Sequence, residues 1–126
     1  MRAAARIVKP GGLVILACEC SDGTPLGSPY ERVLHSVNSP DELLVRLARP
    51  GFAQPEQWQA QVQALIQKKA RVQVYSNLPD PVVQACHLTP CRNIEKAVDD
   101  ELSTLTKDAS IAVLPFGPLT VPYMEV

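Results

Sequence analysis

The sequence predicts an α/β fold: three layers in a Rossmann-like arrangement, with a mainly parallel sheet and helices on both faces. Three observations predict it. Leu13-Val14-Ile15-Leu16-Ala17-Cys18 is a continuous apolar run, the pattern of a strand buried on both faces. Segments with helical spacing alternate with β-rich segments, as helical crossovers between parallel strands require. Twelve prolines in 126 residues, about twice the usual frequency, mark many sharp element ends.

Met1 to Val8 is rich in alanine and arginine and ends before Pro10, so it reads as a helix. Gly11-Gly12 turns the chain into the first strand. Glu19 to Pro29 is loop. Tyr30, Val33, Leu34 and Val37 stand at helical spacing and predict a short helix. Ser39-Pro40-Asp41-Glu42 is a helix start, with Ser39 as N-cap, Pro40 at N1 and Glu42 at N3. That helix carries Leu43, Leu44 and Leu47 and stops before Pro50-Gly51.

Gln54-Pro55-Glu56 opens the next helix, which runs to about Lys69. Trp58, Val62, Leu65 and Ile66 make its expected apolar stripe. Lys68 and Lys69 fall in its last turn, where cations suit the helix dipole. Arg71 to Ser76 is β-rich and reads as a strand. Pro79 to Cys86 reads as a short helix, and His87 to Cys91 as a short extended segment. Asn93 caps a helix to about Thr106, with Ile94, Ala97, Val98, Leu102 and Leu105 turned inward. Ser110 to Phe116 is expected to be a third apolar strand before a Gly/Pro-rich tail. Ligands of such sheets meet the loops at the carboxyl ends of strands. Those loops are Glu19 to Gly23, Asn77 to Asp80 and Phe116 to Thr120.

Composition bounds the function. The length suits one domain, and 46% hydrophobic residues with a net charge of -1 oppose disorder. A compact monomer of this size would expose about 6,600 Å² of about 20,000 Å² unfolded. Near-neutral charge argues against nucleic-acid binding. The longest apolar run, Leu13 to Cys18, is far short of a membrane span. No signal peptide is visible, so the expected location is the cytoplasm, with no membrane partner.

The chemistry-bearing residues are sparse. Cys18 and Cys20 form a C-x-C, and Cys86 and Cys91 are separated by four residues. A zinc site normally uses C-x₂₋₄-C pairs or a Cys/His set at recognisable spacing, and Cys18, ending an apolar run, is most simply a small buried side chain. No metal site is expected. Cys18-Glu19-Cys20-Ser21-Asp22-Gly23 leaves a buried strand as either a ligand loop or a polar turn with Asp22 accepting backbone N–H bonds. Trp58, the single tryptophan, reads first as core, yet it lies in a first helical turn among Gln54, Gln57, Gln59 and Gln61. An indole so placed also suits a cleft, apolar on its face and polar at its N–H. His35 and His87 form no helical metal motif. Asp99-Asp100-Glu101 reads as a solvated helix face. No complete catalytic set is present.

Taken together, several segments resemble one family. These are Ala4 to Gly12 with its Lys9-Pro10-Gly11-Gly12 turn, the strand into Glu19-Cys20-Ser21-Asp22-Gly23, and Gln57-Trp58-Gln59-Ala60-Gln61 leading through Lys68-Lys69 to a strand. Ile94-Glu95-Lys96-Ala97-Val98, Val113-Leu114-Pro115-Phe116-Gly117 and Thr120-Val121-Pro122 complete the ordered set. In this order they resemble the C-terminal domain of nickel-dependent lactate racemases, over nearly the whole chain.

The resemblance implies a 2-hydroxy acid racemase, an isomerase whose active site lies between two domains. It implies a nickel-pincer nucleotide in the intact enzyme, with a hydride leaving and returning to the substrate's Cα while a histidine handles the hydroxyl proton. The family's cofactor-bearing, metal-binding and acid/base residues belong to an N-terminal domain, which is expected to be absent from this chain. Residues 1–126 are therefore expected to be the C-terminal domain alone, a fragment or one half of a split enzyme. The chain is expected to hold no cofactor and no catalytic residue, and to be inactive alone. Trp58 matches a substrate-lining position, where its indole would pack on the substrate's alkyl group. The loop with Glu19, Ser21, Asp22 and Gly23 is a secondary cleft candidate. The partners implied are the N-terminal racemase domain and a small 2-hydroxy acid. The uncovered interdomain face would also let two copies pair.

Two other functions compete. A non-catalytic α/β module would bind a ligand or partner without a missing half. A degenerate methyltransferase would explain Lys9-Pro10-Gly11-Gly12 before a strand, but the glycine-rich cofactor loop that should precede it is absent.

Overall fold

Three short strands make the sheet: β1 (Leu13–Ala17), β2 (Arg71–Tyr75) and β3 (Thr89–Cys91). They lie in the order β1-β2-β3, and both pairings are parallel. The register sets Val14 opposite Val72 and Leu16 opposite Val74, so one face is a continuous apolar surface. The computed structural model describes residues 1–106 and 108–123.

Among the described residues there are six helices, α1 (Arg2–Ile7), α2 (Pro29–His35), α3 (Pro40–Leu47), α4 (Gln57–Lys69), α5 (Asp80–Ala85) and α6 (Ile94–Thr104), of which α2 and α3 pack on α4. A 3₁₀ turn follows at Gly117–Leu119. The α/β reading with a parallel sheet holds. The identity of the third strand does not. Ser110 to Phe116 forms no strand, and Ile111 and Val113 are exposed. The place beside β2 is taken by Thr89–Cys91, the segment read from sequence only as extended. A β-branched composition makes a segment fit for a strand, but a ladder partner makes it one. Pro90 is tolerated in β3 because an edge strand can spare an N–H.

Three helices start on side-chain caps. Ser28 Oγ accepts from Glu31 N–H at 3.0 Å, Ser39 Oγ from Glu42 N–H at 3.1 Å, and Asn93 Oδ1 from Lys96 N–H at 2.8 Å. Each satisfies a backbone donor that the helix itself cannot. Glu42 reaches back to Asn38 N–H at 2.9 Å, one residue earlier than the usual reciprocal cap.

The core has two parts, and α4 belongs to both. Val33, Leu34, Val37, Leu43, Ala60 and Ala64 pack between α2, α3 and α4. Val14, Ile66, Ala70 and Val72 pack between the sheet and α4, with Ala4, Ala5 and Val8 against them. The stripe of α4 is rotated from the expected one. Trp58 and Leu65 are exposed, while Ala60, Gln63, Ala64 and Ile66 are buried. Two helices lie close on α4, and close approach selects small alanines rather than the bulkiest residues.

The turn at Lys9 to Gly12 is tied to the end of α4. Gly11 N–H donates to Lys69 O at 2.7 Å, and Lys69 Nζ donates to Ala5 O at 2.6 Å. Gly11 has φ +77, and a Cβ on Gly12 would meet Val8 Cγ2 at 2.8 Å. Gly11 is therefore needed for its backbone conformation, and Gly12 for the space taken by Val8.

The opposite face of the sheet carries Arg71, Gln73 and Tyr75 and is covered more thinly. Helix α6 reaches it through an ion pair of 2.5 Å between Glu101 and Arg71. Glu101 is thus drawn out of the expected solvated face, with its side chain 13% exposed. Ile94, Ala97 and Val98 are half-buried, while Leu102 and Leu105 remain exposed, contrary to the inward row expected of them. The chain exposes 8778 Å², about a third more than a compact monomer of its mass. No described helix is long and apolar enough to cross a membrane.

Candidate functional site

An open cleft of about 260 Å³ lies where α1, α2 and α4 meet. Met1 and Arg2 border one side, Tyr30 another, and Gln59, Val62 and Gln63 the floor along α4. Its polar floor is held in place. Tyr30 Oη donates to Gln63 Oε1 at 2.5 Å, and Gln63 Nε2 donates to Cys86 O at 2.7 Å. Burial pushes the Tyr30 hydroxyl up to about 12, with Cys86 adding to the shift. Tyr30 is therefore a fixed neutral donor at physiological pH.

Trp58 is exposed in the first turn of α4. Helical spacing puts it on one row with Val62 and Leu65, flanking the row of Gln59, Gln63 and Ile66 that floors the cleft. The turn before it is unusual: Glu56 precedes α4 with φ +61 and gives no side-chain cap. Gln57 Oε1 instead accepts from Gln54 N–H at 2.8 Å, and Glu56 Oε2 accepts from Tyr30 N–H at 3.1 Å. Glu56 thus ties the start of α4 to α2, which fixes where the indole stands. The core role first read for Trp58 is not the one it has.

The loop after β1 is exposed at Glu19, Ser21, Asp22 and Gly23. Gly23 N–H donates to Cys20 O at 2.9 Å and closes a tight turn, with Gly23 at φ +75. Among the described residues Asp22 accepts no backbone bond, so the turn is held by main chain alone. Cys18 is exposed rather than buried, because the strand ends at Ala17 and the chain has left the core. Cys18 Sγ and Cys20 Sγ are 3.3 Å apart.

The other two candidate loops fare differently. Arg92, at the exit of β3, donates to Ser76 O at 2.9 Å and to Leu78 O at 2.7 Å, and pairs with Asp80. The Asn77 to Asp80 loop is thereby held by the protein itself. The Phe116 to Thr120 segment follows no strand, so it is not a sheet-exit loop, and Phe116 and Leu119 are exposed.

Sequence separation hid two pairings. His35 and His87 border a second open cleft of about 320 Å³ beside Val37 and Asn38. His87 has φ +59, and its Nε2 lies 2.8 Å from Leu34 O, which only accepts, so Nε2 carries the proton. Arg92 and Gln63 were equally invisible, since no motif marks a residue that binds distant backbone.

Metal chemistry needs convergent donors. Among the described residues no group of three or more His, Cys, Asp or Glu side chains could hold a metal ion. The described residues therefore offer no ligand set for a bound nickel ion.

Residues 1–121 match the family described as the lactate racemase C-terminal domain. The lactate racemase of Thermoanaerobacterium thermosaccharolyticum is 28% identical over 120 residues, which are 93% of this chain and 28% of that protein. The structure of the lactate racemase apoprotein from the same organism superposes with a TM-score of 0.72 at 27% identity, covering 86% of this chain and 26% of that one. This chain thus spans little more than a quarter of the length of the relative it matches. The chain belongs to the lactate racemase C-terminal domain family.

Proposed function

We propose that this chain is the C-terminal domain of a lactate-racemase-like 2-hydroxy acid racemase, closing the substrate cleft over a nickel-pincer cofactor held by an N-terminal domain. Trp58 carries the reading. A single tryptophan that is 60% exposed on the first turn of a well-packed helix has no packing role to explain it. Its indole face suits the small alkyl group of a 2-hydroxy acid, and its N–H suits a polar neighbour. The surface in excess of a compact monomer supports the same reading, because a domain that packs on another leaves that face open when alone. On this reading, metal and proton chemistry belong to the N-terminal domain. This chain contributes exclusion of water and positioning of the substrate. The same reading puts the enzyme in the cytoplasm.

The test is complementation. The 126-residue chain alone should racemise no 2-hydroxy acid, and adding a separately produced, cofactor-loaded N-terminal racemase domain should restore racemisation. Trp58→Ala should lower the restored rate by about tenfold or more, with the thermal midpoint of the chain unchanged. Racemisation by the chain alone, or full complementation by the alanine variant, would overturn the proposal.

A further inference from the structure

Two thiols of the C-x-C segment lie within reach of one another, and the backbone is what puts them there. In an extended strand, residues i and i+2 point to the same side but stand about 7 Å apart, too far for a disulfide. Here the chain leaves β1 after Ala17, and Cys20 takes φ +54, a left-handed conformation uncommon for a residue with a side chain. That bend folds Cys20 back onto Cys18 and brings the sulfurs to 3.3 Å. Both ends of the bend are fixed: Cys18 N–H donates to Tyr75 O at 3.0 Å, and Gly23 N–H to Cys20 O at 2.9 Å. Cys18 is exposed and Cys20 half-exposed, so a small oxidant can reach them. Cys86 and Cys91, in contrast, are half-buried and buried.

We infer that Cys18 and Cys20 form a reversible dithiol modification site, closing to a disulfide by exchange with a small disulfide compound such as glutathione disulfide. The thiolate of one cysteine attacks a sulfur of glutathione disulfide, making a mixed disulfide and releasing one glutathione thiolate. The second cysteine, as thiolate, attacks the protein sulfur of that mixed disulfide and releases the second glutathione. The two cysteine sulfurs are oxidised, one glutathione disulfide is reduced to two glutathiones, and the two protons lost by the cysteines end on the two glutathione thiolates. Burial and the neighbouring Cys20 push the Cys18 thiol up to about 11, which disfavours Cys18 as the first attacking sulfur. Closing so small a ring on an exposed loop gives a readily reduced disulfide rather than a structural one. The site needs nothing from another domain and does not rest on the racemase reading.

The experiment incubates the full chain in buffers of graded glutathione to glutathione disulfide ratio, quenches with acid, and maps thiols by alkylation and peptide mass. In the wild type the peptide spanning Cys18 and Cys20 should lose two hydrogens, two of the four thiols should disappear, and dithiothreitol should restore them. In Cys18→Ser the remaining Cys20 should accumulate as a mixed disulfide with glutathione. That adduct should reach at least about tenfold the level seen in the wild type, where the second step is intramolecular. Cys20→Ser should give no disulfide within this peptide. The inference is overturned if both cysteines of the wild type carry separate glutathiones, if only Cys86 and Cys91 cross-link, or if all thiols stay reduced in the most oxidising buffer.

Discussion

Tyr30 Oη donates to Gln63 Oε1 at 2.5 Å, joining the first turn of α2 to the centre of α4. Gln63 is 2% exposed, and its amide oxygen accepts from Tyr30 while its amide nitrogen donates to Cys86 O. Removing the hydroxyl leaves a buried acceptor without its donor. Tyr30→Phe should therefore cost about 1–3 kcal/mol, read as a lowered urea midpoint at unchanged slope. Gln63→Leu, which removes the polar group instead of stranding it, should cost less in a Tyr30→Phe background than in the wild type.

The same residue sets an alkaline limit. Burial raises the Tyr30 hydroxyl to about 12, against 10 for an ordinary tyrosine. The folded state thus holds a proton that the unfolded state releases earlier. The stabilisation is complete below pH 10 and is lost as pH rises toward 12. Unfolding free energy should fall by about 2 kcal/mol across that window, and Tyr30→Phe should flatten that part of the profile.

The rotated stripe of α4 makes a contrast that stability measurements can read. Ala64→Leu inserts bulk where α3 and α4 lie close, and should cost about 1–3 kcal/mol by overpacking. Leu65→Ala, one residue on, removes an exposed side chain and should change stability by less than about 0.5 kcal/mol. The reverse ranking would restore the stripe of Trp58, Val62, Leu65 and Ile66 expected from spacing.

Trp58 reports on its own surroundings, being the single tryptophan. Its fluorescence should be that of a water-exposed indole and readily quenched by acrylamide. Docking of the N-terminal racemase domain should shift the emission to the blue and protect it from quencher. No change on docking would place Trp58 outside the interdomain face.

The caps give small, local effects. Ser39→Ala and Asn93→Ala should each cost about 1 kcal/mol, through the backbone donors at Glu42 and Lys96 that lose their acceptors. Ser39→Asp should retain most of the lost stability, because a carboxylate also accepts at a helix start.

The element starts were legible in the sequence because they are local. Ser39 before Pro40, Asn93 before Ile94, and Lys9-Pro10-Gly11-Gly12 before an apolar run act within four residues, and each stands where it was read. The parallel α/β class followed from the alternation of segments, and the family from the order of its motifs. Tertiary structure alone decided the rest. It chose Thr89–Cys91 over Ser110 to Phe116 as the third strand, since a strand exists only where another can pair with it. It turned α4 so that two alanines, not Trp58 and Leu65, face its neighbours, because interhelical distance selects volume. It drew Glu101 to Arg71 and Arg92 to the carbonyls of Ser76 and Leu78, contacts that no local pattern encodes. A single left-handed residue, Cys20, converted two thiols in a strand-like spacing into a facing pair. Local chemistry determines where elements begin and end, while the partner each face meets depends on how the chain closes in three dimensions.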